Sequence, residues 1–133
     1  EEVWTFHIST SRGSYRKWDA ELKKDSLMQE VGLTHNEYEN IRSLLSNLNC
    51  IGIESDKRMP NNEVTIRFKR VGFGMYSFVL HNSPINQQQK DTYMNDMAYV
   101  PYNDSVIFMY GSGAIGSDTF HHKERFLRKH KPW

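Results

Sequence analysis

A single cysteine, Cys50, among 133 residues leaves this chain no intramolecular disulfide and no cysteine-based zinc cluster. It follows an apolar helical pattern and precedes Ile51 and Ile53, so it reads as a small buried core residue. Long hydrophobic runs are missing too, and none approaches the roughly 18 residues a membrane span requires. Neither sign of charge dominates: 17 Lys and Arg stand against 16 Asp and Glu, and no overall field argues for nucleic acid or an anionic membrane. No G-x-S-x-G elbow occurs, and Cys50 lies in no local cysteine-protease signature, which disfavours a serine or cysteine nucleophile. The chain starts on Glu1 rather than Met, a start compatible with a processed, secreted or periplasmic product.

What the chain has in quantity is aromatic volume. Seven Phe, seven Tyr and three Trp make up 13% of it, and those rings supply core bulk to a sequence that is only 38% apolar. A chain of this length is expected to form one domain over 1–133.

The clearest pattern is Val64 to His81. Val64, Ile66 and Phe68 alternate on one side of an extended chain, as do Tyr76, Phe78 and Leu80, with Gly72 and Gly74 between the two runs. Glycine accepts the positive φ of tight loops, so two antiparallel strands joined near Arg70 to Gly74 are predicted. Glu2 to Ser9 alternates Trp4, Phe6 and Ile8, a first strand. From Ser14 to about Gln29 the spacing of Tyr15, Trp18 and Leu22 predicts a helix. A second helix follows Thr34, where Thr34 and Glu37 form a capping box and Tyr38, Ile41, Leu44, Leu45 and Leu48 recur at three and four.

Ile51 and Ile53 begin a short strand. Ser83 and Pro84 look like the N-cap and first residue of a polar helix, YVPYN at Tyr99 to Asn103 reads as a turn, and Ser105 to Tyr110 as a strand. A last helix is expected over Asp118 to His130. The sum is an α+β fold: a mixed, mainly antiparallel sheet of about five strands with three to four helices packed on it.

Gly111, Gly113 and Gly116 match G-x-G-x-x-G between a strand and a helix, a turn whose backbone N–H groups can face an anion. A dinucleotide site needs a further strand with an acidic residue about 20 positions on, and the sequence holds too few residues after Gly116 to supply one. A small anion is the ligand this turn could take. His7 and His81 fall on strand faces away from the large apolar residues. If they meet across the sheet, one could accept and the other donate a proton in hydrolysis or phosphodiester cleavage. No metal-ligand spacing occurs, since adjacent His121 and His122 diverge on a helix, and no cofactor is implied. Ser117 to Trp133 is basic, five cations against two carboxylates. Within it Arg125, Arg128, Lys129 and Trp133 could meet an acidic protein partner, with nucleic acid disfavoured.

The reading that follows is a non-enzymatic binding or interaction module of unspecified ligand, leaning away from an enzyme. The alternatives are a small histidine-dependent hydrolase or nuclease, and an anion- or nucleic-acid-binding domain using the glycine turn and the basic helix.

Overall fold

The computed structural model describes residues 5–10, 13–18, 32, 34–56, 63–111 and 119–133, with the backbone alone for 5–10, 13–18 and 56. Among these residues, strands β1 (Thr5–Thr10), β2 (Gly13–Trp18), β3 (Gly52–Asp56), β4 (Val64–Val71), β5 (Gly74–Leu80), β6 (Tyr99–Asn103) and β7 (Val106–Gly111) form one sheet in the order β2-β1-β3-β4-β5-β7-β6. Among the described strands only the β1/β3 pair is parallel. Three helices accompany it among the described residues: α1 (His35–Asn47), α2 (Gln87–Asn95) and α3 (Lys123–Lys129). The α+β class and the mainly antiparallel mixed sheet are as the sequence predicts.

The strand count rises from five to seven for two reasons. Gly13 to Trp18 pairs with β1 as an antiparallel hairpin instead of starting a helix. Tyr15 and Trp18 fit a helical spacing, but aromatic residues also favour a pleated strand, and pairing to β1 decides between the two. The expected helix beyond Trp18, over residues 19–29, lies outside the described residues. YVPYN is likewise a strand. Pro101 lacks an N–H, which suits β6 because β6 is the edge of the sheet.

The β4/β5 hairpin places Val64 opposite Leu80 and Ile66 opposite Phe78, as the alternation predicts. A bulge between Arg67 and Lys69 keeps Phe68 on that same face, its ring 4.6 Å from Phe78. Gly72 and Phe73 form the connection. Gly72 has φ +59° and Phe73 does not have positive φ, which fits a type II′ turn.

The two faces of the sheet carry separate cores. On one, Tyr38, Leu45 and Cys50 of α1 and its exit pack on Ile53, Ile66 and Phe68. Helix α1 is well specified at both ends. Thr34 and Glu37 form the expected capping box. At the other end Cys50 N–H donates to Leu45 C=O and Asn49 N–H to Ser46 C=O, with Asn49 at φ +53°, the hydrogen-bond pattern of a Schellman cap.

Aromatic rings continue this face across the sheet, Phe78 lying 4.7 Å from Phe108 and Tyr76 4.7 Å from Tyr110. Phe120 packs against both tyrosines. On the opposite face Val79 and Ile107 meet Ile85, with Tyr93 of α2, Tyr99 and Met109 around them. Helix α2 starts three residues later than Ser83 and Pro84 imply. Its N-cap is Asn86, which forms a capping box with Gln89. That amide pair satisfies two free N–H groups where Ser83 would satisfy one.

Candidate functional site

Strand register decides where the sheet's surface dips. Arg67, Ser77 and Met109 stand side by side on β4, β5 and β7, and Arg70, Met75 and Gly111 form a second row about 7 Å away, two residues along β5 and β7 and three along β4, where the bulge takes up the extra residue. Ser77 and Gly111 are small and their neighbours are long. A groove of about 450 Å³ opens above them, lined by Glu54, Thr65, Arg67, Arg70, Phe73, Met75, Ser77, Met109 and Gly111. Helix α2 covers the adjacent rows at Val79 and Ile107, so the groove lies between that helix and the hairpin tip, on the face away from α1.

The groove is chemically mixed. Arg67 is ion-paired with Glu54 across β3 and β4. Arg70 is exposed and, among the described residues, forms no ion pair. Phe73 at the tip is 77% exposed, while Met75 and Met109 add half-buried thioethers. Ser77 is the anomaly. It is 1% exposed and its Oγ makes no hydrogen bond, although a buried hydroxyl ordinarily finds a partner.

A second polar cluster lies beneath α2. His81, 5% exposed, follows β5, and its Nε2 is 3.0 Å from the Tyr93 hydroxyl. Its Nδ1 makes no hydrogen bond and faces Glu63 Oε1 at 3.6 Å. A carboxylate beside Nδ1 favours the tautomer with its proton there, so the Tyr93 hydroxyl donates to Nε2. Burial lowers the His81 pKa below 6.5, with Glu63 opposing. Burial, and then the charge of Glu63, push the Tyr93 pKa well above its usual value and keep the phenol protonated.

The sequence-predicted residues fall as follows. His7 and His81 are not brought together. β1 and β5 are separated by β3 and β4, three strand spacings or about 14 Å, and His7 stands in register with Glu54. Of the glycine turn, Gly111 ends β7 opposite Met75 and lines the groove, whereas Gly113 and Gly116 lie outside the described residues. Arg125, Arg128 and Lys129 of α3 are exposed. Trp133 is part-covered by Lys90, whose Nζ sits 5.2 Å over its ring. The buried residue of that helix is instead Lys123. Among the described residues no group of three His, Cys, Asp or Glu is placed to hold a metal ion, and no helix is long and apolar enough to cross a membrane.

The groove residues carry a weak sequence signal because the strong alternation of the hairpin belongs to its apolar side. Their signal is the other half of the same alternation: Thr65 and Arg67 on one strand, Met75 and Ser77 on the next. No protein-family model matches the chain, and no curated protein or solved structure is detectably similar to it.

Proposed function

We propose that this chain is a non-enzymatic binding module whose ligand occupies the groove over β3, β4, β5 and β7. The observation that carries the reading is Ser77, a buried hydroxyl without a hydrogen bond at the floor of a solvent-open concavity. Leaving such a group unpaired costs about 1–3 kcal/mol, a cost that a ligand atom in the groove removes. The volume, about 450 Å³, falls within the range of small-ligand sites, which run from roughly 300 to 1,000 Å³.

The hydrolase reading is less well supported. The His81 side chain is fully buried, with its ring held against Tyr93, so a substrate could not reach it without displacing α2. The test is a fragment library screened by amide chemical-shift perturbation. Binders should shift Thr65, Arg67, Met75, Ser77 and Met109. Shifts confined to α3 or to the surroundings of His81 would sink the reading, as would turnover of a chromogenic phosphodiester that disappears in His81→Gln.

A further inference from the structure

The geometry points to a ligand class for this groove: a small anion, carboxylate, sulfonate or phosphate, carried on an apolar or aromatic body with a hydrogen-bonding atom between. The inference rests on the groove being the binding site and goes on to say what fits it.

Three features define the class. The first is charge. The lining carries Arg67, Arg70 and one carboxylate, Glu54, and Glu54 is already engaged by Arg67. Among the described residues the cation left over is Arg70, which offers a planar fork of N–H donors suited to an oxyanion. The second is the apolar wall of Met75, Met109 and Phe73. Methionine adapts its shape to a flat or irregular apolar partner and makes favourable sulfur–aromatic contacts. The third is the spacing: the Arg70 row and the Ser77 row are two residues apart along β5 and β7, about 7 Å, and three along the bulged β4. That is the span of one ring system between an acid group and a polar atom.

A macromolecular occupant fits less well. A stable protein interface takes roughly 20–30 residues a side, whereas this groove is lined by nine residues.

Two dyes with one body isolate the charge. 2-(p-Toluidino)naphthalene-6-sulfonate and N-(p-tolyl)-2-naphthylamine share their rings and bridging N–H and differ by the sulfonate, which stands across the naphthalene from that N–H. Titrations followed by fluorescence and by amide shifts should place both in the groove, with the sulfonate bound roughly tenfold to a hundredfold more tightly, the worth of a charge-assisted hydrogen bond. Arg70→Gln, at an exposed position, should remove that difference and leave the neutral dye unchanged. Ser77→Ala should weaken both dyes while leaving the thermal midpoint equal or higher, since it deletes an unpaired buried hydroxyl. A merely structural serine would not show that opposition.

Equal affinity for both dyes, insensitive to Arg70→Gln, would overturn the anion assignment and leave the groove standing. A Glu-rich peptide bound more tightly than the sulfonate dye would overturn the size class. If neither dye shifted groove amides while the fragment screen still marked them, the ligand class alone would fall. If both experiments left the groove unperturbed, the binding reading would fall with it.

Discussion

The ammonium of Lys123 lies 2.6 Å from the carbonyl oxygen of Tyr93, thirty positions earlier and on a different helix. The same Nζ reaches Asp96 C=O at 2.6 Å. A cation at a helix C-terminus meets the negative end of the helix dipole and the carbonyls left without intrahelical donors. Lys123 is 2% exposed, so its charge is held by those carbonyls rather than by water. Burial lowers its pKa, against the opposing charge of Asp96.

Lys123→Met keeps the apolar stem and removes both donated bonds. It is expected to cost about 1–3 kcal/mol, the penalty of unsatisfied buried acceptors, read as a lower urea midpoint. Lys123→Ala should cost more, because the stem's packing is lost as well. An unchanged midpoint in the Met variant would mean that the two carbonyls find other donors.

His81 gives the protein an acid-sensitive point. Its folded pKa lies below the unfolded value near 6.5, so below that pH the unfolded chain takes up a proton that the native one resists. The stabilising difference is present above pH 6.5 and is lost as the pH falls through the folded pKa. Denaturant midpoints measured from pH 7.5 to 5 should therefore fall more steeply for the wild type than for His81→Gln. Parallel slopes would remove His81 as the cause. Tyr93→Phe, which strips the hydroxyl from Nε2, should cost about 1–3 kcal/mol at neutral pH.

Helix α1 offers a graded series. Leu45, 4% exposed, should cost roughly 2–5 kcal/mol as Leu45→Ala, and Thr34→Ala about 1 kcal/mol for one lost cap. Asn49 has φ +53°. Asn49→Gly should be neutral or slightly stabilising, while Asn49→Ala should cost about 1 kcal/mol, because only glycine adopts this conformation without steric penalty. Equal effects of Ala and Gly at position 49 would contradict the cap geometry.

The hairpin glycines should behave unlike one another. A Cβ on Gly74 runs into the Tyr110 ring, whereas one on Gly72 meets nothing within 4 Å. Tyr110 cannot easily withdraw, since it is stacked on Tyr76 and packed against Phe120. Gly74→Ala is expected to cost about 1–3 kcal/mol by overpacking. Gly72→Ala should cost on the order of 1 kcal/mol from its positive φ alone. Repeating Gly74→Ala in a Tyr110→Ala background should recover most of the loss, and a double-mutant cycle without coupling would show that the ring is not the obstacle.

Local chemistry alone determined much of this protein. The alternation of β4 and β5, the Thr34/Glu37 capping box and the three-and-four spacing of α1 are short-range patterns, set by backbone periodicity and by side chains satisfying nearby N–H groups. The same holds for the capping box at Asn86 and Gln89, a local pattern that outcompetes Ser83 and Pro84 for the helix start.

Tertiary structure alone decided the rest. Gly13 to Trp18 became a strand because β1 offered it a pairing edge, and YVPYN became one because β7 did. The strand order put three spacings between His7 and His81. It also set Arg67, Ser77 and Met109 side by side from three separate strands. Neighbours across a sheet depend on which strands pair and in what register. Those choices are made by the whole core at once, so the candidate site could not be read from any one stretch of the chain.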